Sequence, residues 1–231
     1  MPENSLQLLL LTAVLVFFHL LSPLAHRASR IADAQVTSFT GGLAAAYVFL
    51  HLFSELDKAH VFIGDRIYLL VLIGFIVFYG MENNISRAQQ SGAEISRRSQ
   101  MFRLGFASIY NMLLVFTLGE QMPENGILCG MFAITLGLHL MASDVGMMKR
   151  FGKHYQSGSR FVLAGALILG LVLSIVLDPG DLEIDVLTAS LAGFIIFNVF
   201  HEEISPTRET RFRWFLLGAL GFAILHLVIG S

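Results

Sequence analysis

The chain has 231 residues, of which 55% are hydrophobic and 14% charged, and its mean hydropathy is +0.70. This composition excludes an ordinary soluble domain and predicts an all-α, polytopic integral membrane protein in contact with the lipid bilayer. The single cysteine, Cys129, excludes an intramolecular disulfide and a multi-cysteine metal site. The formal net charge of −2 does not indicate a nucleic-acid partner.

Eight apolar runs follow one another along the chain, and each is interpreted as a membrane-spanning helix. They lie at about residues 6–25, 38–56, 67–81, 104–119, 127–148, 161–177, 186–203 and 214–229. The first run follows a segment without a basic leader, so we expect a retained helix rather than a cleaved signal peptide. Residues 1–231 are therefore predicted to form one transmembrane domain, an eight-helix bundle. The polar stretch 82–103 is predicted to be a loop or a loose amphipathic linker.

Lysine and arginine are distributed very unevenly between the connecting segments. Only Lys58 and Arg66 fall on one side of the predicted bundle, and the other thirteen of the 15 basic residues follow the first, third, fifth and seventh helices. Because basic residues concentrate on the cytoplasmic side, we expect the 82–103 segment to be cytoplasmic. Both termini of this multi-pass protein are then predicted to be non-cytoplasmic.

The fifth run carries three polar residues within a segment apolar enough to cross a bilayer: His139, Ser143 and Asp144. On a helix His139 and Ser143 share a face, and Asp144 lies about 140° further round from His139. Ionisable residues at this depth are costly and commonly functional. The alternative is a histidine that is simply hydrogen-bonded to a neighbouring helix.

Two other predicted helices each carry a run of small residues that leads into polar residues. A run rich in glycine and alanine, residues 41–46, leads into His51-Leu52-Phe53-Ser54-Glu55, and a small-residue run, 191–193, leads into Glu202 and Glu203. With eight helices, both termini outside and the longest loop after the third helix, the chain resembles the ZIP family of divalent-metal transporters. Its second helix is similar to the family's His-Leu-x-Pro-Glu pattern, with Ser54 in place of proline.

The resemblance implies a binuclear metal centre between helices four and five, but several ligand positions differ here. On helix four Asn111 is retained, while Tyr110 stands at the family's histidine and Leu114 at its carboxylate. On helix five His139 and Asp144 are retained, while Leu140 and Ser143 occupy two further ligand positions. We therefore expect a single, weak site for a divalent metal such as zinc or iron, bound as substrate and not as a permanent cofactor. Acid is expected to release the ion, because a histidine with an ordinary pKa of about 6.5 must lose its proton to bind a metal.

Further candidates lie nearer the helix ends. His51 and Glu55 are four residues apart and are predicted to pass a cation toward the centre, with an interfacial ion pair as the alternative. Glu202, with His201 and Glu203, is a candidate exit site or a solvated helix end. His19 and His226 are interpreted as interhelical hydrogen-bonding groups. The predicted metal-contacting set is His139, Asn111, Ser143, Asp144, His51, Glu55 and Glu202.

Three functions remain open at this point. The first is a ZIP-like carrier that moves a divalent cation through a polar pathway between helices two, four, five and seven. The second is a ZIP-fold protein that has lost transport and has a structural or regulatory role. The third, an intramembrane metal hydrolase, is the weakest because no His-Glu-x-x-His motif is present, and we expect no enzyme activity. The family also leaves open a homodimer through small-residue helix faces.

Overall fold

A computed structural model of the protein describes residues 5–28, 33–90, 97–122, 125–152, 158–177, 180–204 and 211–230, with the backbone alone at some helix ends. Within these ranges the chain forms eight helices and no strands. The second helix, α2, runs without a break through an α-helical segment, a π-helical turn and another α-helical segment: Asp33–Tyr47, Val48–Leu52 and Phe53–Ile63. The others are α1 (Ser5–Ala28), α3 (Arg66–Gln90), α4 (Arg97–Gln121), α5 (Gly126–Phe151), α6 (Ser159–Val176), α7 (Asp181–Ile204) and α8 (Phe212–Gly230).

Length and composition make the protein a multi-pass membrane protein. In the described part of the chain seven helices, α1 to α7, are long and apolar enough to cross a bilayer. The last helix, α8, is equally apolar but has a shorter described apolar stretch, Phe212–Val228. The all-helical, membrane-spanning class predicted from composition is therefore confirmed.

The polar stretch 82–103 differs from its prediction as a loop. Helix α3 continues to Gln90 and α4 already begins at Arg97, which leaves only 91–96 between them, outside the described residues. Residues 82–90 contain neither glycine nor proline, and a helix satisfies its own backbone whether or not lipid surrounds it. The end of an apolar run therefore did not mark the end of a helix.

The helix ends are set by local sequence signals. Gly64 and Gly152 follow the last turns of α2 and α5 with φ angles of 68° and 71°, a conformation that favours glycine. At the start of α5 the side chain of Asn125 accepts hydrogen bonds from the backbone N–H groups of Ile127 and Leu128. These caps fix where α5, the helix with the three polar residues, begins and ends.

The helices form two groups. In one, α1 packs on α5 and α6, and α4 packs on α6; in the other, α2 packs on α8, and α3 packs on α7. Glycines bring the second group close together, because a Cβ at Gly42 would collide with the Phe215 carbonyl oxygen, and one at Gly193 with that of Val71. The two groups meet where α2 contacts α5 and α4 contacts α7.

Candidate functional site

A cavity lies where the two helix groups meet. This first cavity is partly open to its surroundings, the space not filled by atoms in and around it is about 430 Å³, and side chains from six helices line it. Its polar lining residues are His19, Arg103, Tyr110, Asn111, His139, Ser143, Asp144 and Asn198. The structure thus brings four members of the predicted metal-contacting set, Asn111, His139, Ser143 and Asp144, to one cavity.

A second, partly open cavity, with about 280 Å³ of space not filled by atoms in and around it, adjoins the same residues of α5 and α7. His139, Ser143 and Asn198 line both cavities, and α2 contributes Thr37, Thr40 and Gly41 to the second. Between them the two cavities therefore have lining residues from α2, α4, α5 and α7, the helices expected to surround a polar pathway. Three further helices, α1, α3 and α6, line the first cavity as well.

His139 is held by a hydrogen bond across the junction of the two groups. Asn198 Nδ2 on α7 donates to His139 Nε2 on α5 over 3.2 Å, and both side chains are buried. The lone pair of Nε2 is thus already in use, so a cation could bind this nitrogen only after Asn198 had moved away. The interhelical hydrogen bond considered for His139 is present, at the lining of the cavity.

Asp144 and Asn111 are joined through His19. Asn111 Nδ2 donates to His19 Nε2 over 3.0 Å, and His19 Nδ1 lies 2.6 Å from Asp144 Oδ2. Because Nε2 accepts, Nδ1 carries a proton and donates it to the carboxylate. The three side chains are 1–2% exposed and connect α4, α1 and α5. His19 is the interhelical hydrogen-bonding group that was expected, and it lies between two candidate ligands.

The second carboxylate oxygen of Asp144 is free to accept a hydrogen bond or contact a cation inside the protein. Its Oδ1 is buried and has no hydrogen-bond partner among the described residues. A buried carboxylate oxygen without a partner is unfavourable unless a cation, a water molecule or a proton reaches it. Asp144 is therefore the residue of the first cavity best suited to contact a positively charged solute.

His51 and Glu55 lie apart from this site. Neither lines the first or the second cavity in the described part of the chain. The His51 ring packs edge-on against Phe132 at 4.2 Å between centroids, and Glu55 accepts a hydrogen bond from Lys58 at 2.8 Å. The ion pair at this end of α2 is thus formed by Glu55 and Lys58 and does not include His51.

The other end of the bundle has a buried cluster that the sequence did not predict. Arg103 on α4 donates to Glu82 on α3, and His201 Nε2 on α7 lies 3.5 Å from the other Glu82 oxygen. Glu82 is 1% exposed and Arg103 is 6% exposed. The backbone of Glu202 is part of α7, but its side chain is outside the described residues, so its predicted metal role stays a prediction.

Two leucines that stand where the ZIP resemblance places metal ligands have different surroundings. Leu140 lines the first cavity, whereas Leu114 is buried in the apolar core and is absent from the lining of either cavity. Tyr110, which the resemblance aligns with a histidine, stacks on Phe194 with 4.2 Å between ring centroids. The cavity wall is consequently more apolar than the family's ligand set would make it.

Three residues of these contacts were not predicted from the sequence, and each of them bonds to a side chain on a different helix. Asn198 was not singled out within the run 186–203, and Glu82 and Arg103 fell in the stretch expected to be a loop. An asparagine within an apolar run was the one available signal for Asn198.

Comparison with known proteins does not extend this description. Neither a family model nor a curated protein matches the chain. Within the described residues, no group of three histidine, cysteine or acidic side chains is placed to hold a metal ion. The resemblance to the ZIP family therefore stays a prediction, based on the motifs and on the helix order.

Proposed function

We propose that the protein is a ZIP-like membrane carrier that moves a divalent cation, such as zinc or iron, along the two cavities between its helix groups. The observation that carries this proposal is the buried Asp144 carboxylate, which has an unpartnered oxygen in a cavity also lined by His139 and Asn111. An ionisable side chain that faces a cavity between membrane helices commonly marks a solute pathway. The eight-helix order and the retained Asn111, His139 and Asp144 support the choice of a ZIP-like carrier.

Each residue has a distinct part in this proposal. Asp144 supplies the negative charge, His139 supplies a nitrogen once Asn198 releases it, and Asn111 and Ser143 supply neutral oxygens. This is a mixed N and O donor set, which suits zinc and similar first-row ions. One carboxylate leaves a dication only partly neutralised, so we expect weak, reversible binding, as a carrier requires.

A second candidate is a ZIP-fold protein that no longer transports and has a structural or regulatory role. Leu114 and Leu140, both buried, favour it because each stands where the family has a metal ligand. The hydrogen bonds that engage His139 and His19 would then serve to fix the packing of the helices.

Uptake into reconstituted vesicles tests the proposal. We expect the purified protein to take up at least one of zinc, iron, manganese and cobalt, presented singly, and the His139→Ala variant to lose that uptake. His60→Ala is the matched control, because His60 lies at the end of α2 and bonds Asp65 at 3.1 Å, away from both cavities. Failure to take up any of the four ions would contradict the carrier and favour the second candidate. Unchanged uptake by His139→Ala would place the pathway elsewhere.

A further inference from the structure

His19 on α1 lies between two of the residues assigned to the cation, and it uses both of its ring nitrogens to hold them. Its Nδ1 donates to Oδ2 of Asp144 over 2.6 Å, and its Nε2 accepts from Nδ2 of Asn111 over 3.0 Å. All three side chains line the first cavity. Because Nδ1 carries a proton and the lone pair of Nε2 is in use, His19 itself has no atom with which to bind a metal ion.

The two hydrogen bonds run in one direction and orient both neighbours of His19. A carboxylate only accepts, so His19 donates from Nδ1 and accepts at Nε2, and the Asn111 amide must direct its nitrogen toward the ring. The amide oxygen of Asn111 then lies on the other branch of the amide. In the same way, Oδ1 of Asp144 is the carboxylate oxygen that is not bonded to His19, and it has no hydrogen-bond partner. One imidazole thus leaves an oxygen of each neighbour for a cation.

Close packing of α1 on α5 brings His19 to Asp144. Gly137 precedes Asp144 by seven residues, so the two lie on the same face of α5. A Cβ at Gly137 would come within 2.2 Å of the ring of Phe18, the residue before His19. The absence of a side chain at Gly137 therefore lets α1 approach α5 closely enough for His19 to reach the carboxylate.

Without the imidazole, Asp144 and Asn111 would lose the contacts that fix their orientation. The Asn111 amide could then rotate and present its N–H groups to the cavity, and these repel a cation. Outer partners that orient metal ligands are commonly worth about tenfold to a hundredfold in metal affinity.

We propose that His19 is a positioning residue of the first cavity, which turns Asp144 and Asn111 so that each directs an oxygen to the same divalent ion. His19 does this without contacting the ion. The inference rests on the proposed function, and it makes ion binding depend on α1, a helix outside the four that were expected to surround the pathway.

Calorimetric titration of the purified, detergent-solubilised protein with zinc tests the proposal. His19→Phe keeps a planar ring but removes both nitrogens, so zinc affinity should fall by about tenfold or more. His19→Gln retains one acceptor and one donor and should stay within about threefold of the wild type. His226→Phe is the matched control: it removes a histidine of α8 that lines neither cavity, and it should leave the affinity unchanged.

A double-mutant cycle separates positioning from a purely structural role. Asn111→Leu removes one of the two directed oxygens, so His19→Phe should cost less zinc affinity in that background than in the wild type. A histidine that only ties α1 to its neighbours would lower the melting temperature, but it would change the affinity by the same factor in both backgrounds, or not at all. Either of these results would overturn the proposal, and so would equal losses of affinity in His19→Gln and His19→Phe.

Gly137→Ala gives a second measurement in case His19→Phe does not fold. The added Cβ must displace the Phe18 ring and α1 with it, because the Cγ atom of the ring is among the atoms that it would meet. Zinc affinity should fall by about threefold or more. Gly130→Ala is the matched control on the same helix, since nothing lies within 4 Å of its added Cβ, and neither glycine lines a cavity. Equal affinities for the two variants would contradict the proposal.

The wild-type protein distinguishes a failure of this inference from a failure of the proposed function. Zinc binding that does not depend on His19 would contradict the positioning role and leave the carrier unaffected. A wild type that binds none of zinc, iron, manganese and cobalt would contradict both. If one of the other three ions binds in place of zinc, the same variants are titrated with that ion and the same outcomes decide.

Discussion

Leu140 and Leu114 both stand where the ZIP resemblance places metal ligands, yet only Leu140 lines the first cavity. Leu140→Glu should therefore add a charged ligand beside Asp144 and raise affinity for a divalent ion by about tenfold or more. Leu114→Glu would bury a carboxylate in the apolar core without providing a ligand, and is the matched control. Calorimetric titration with zinc measures both.

The same titration tests the alignment of helices four and five. His139→Ala should abolish the heat of zinc binding, since His139 is the one strong nitrogen ligand among the aligned positions. Binding that survives this substitution would show that the alignment is wrong. An equal gain from Leu114→Glu and Leu140→Glu would instead contradict the separation of Leu114 from the first cavity.

Single residues could be predicted where their type stood out from its surroundings in the sequence, but their hydrogen-bond partners could not. Asn111, His139, Ser143 and Asp144 stood out as polar groups in apolar runs, and the structure places all four on one cavity. The link between Asp144 and Asn111 could not be predicted, because it passes through His19, 125 residues from Asp144. A hydrogen bond between distant helices depends on the rotation of each helix, which one sequence does not fix.

At the scale of helices, apolar runs located every element but not its ends. Helices α3 and α4 extend well beyond their apolar runs, because the polar residues 82–90 and 97–103 contain neither glycine nor proline to end a helix. The π-helical turn in α2 also could not be predicted, since nothing in the residue types of Val48–Leu52 distinguishes it from an α-helical segment.

Two glycines on α3 allow the packing of α3 on α7 to be tested. Gly74 faces the backbone of Ser190, where an added Cβ would collide, whereas nothing lies within 4 Å of a Cβ at Gly80. Gly74→Ala should destabilise the protein by about 1–3 kcal/mol through overpacking. Gly80→Ala should be neutral or stabilising by up to about 1 kcal/mol, because alanine is the better helix former. Thermal unfolding in detergent compares them, and equal melting temperatures would contradict this close packing.

At the scale of the whole molecule, the distribution of basic residues predicts the orientation in the membrane. In a Cys129→Ser background, single cysteines at Ser91 and Ser157 should react with an impermeant thiol reagent only from the cytoplasmic side. Asp65→Cys, in the exposed turn between α2 and α3, is the control and should react only from the opposite side. Reaction of Ser91→Cys or Ser157→Cys from outside would reverse the proposed orientation.

The π-helical turn has a consequence for the length of α2. On a regular α-helix, Thr40 beside the second cavity and Ala59 in the core, 19 residues later, would point about 100° apart. A π-helical turn takes up one additional residue, which brings the two back to nearly the same direction. The chain thus carries one residue more than its path across the bilayer needs. A uniformly α-helical segment one residue shorter would direct these two side chains in the same way.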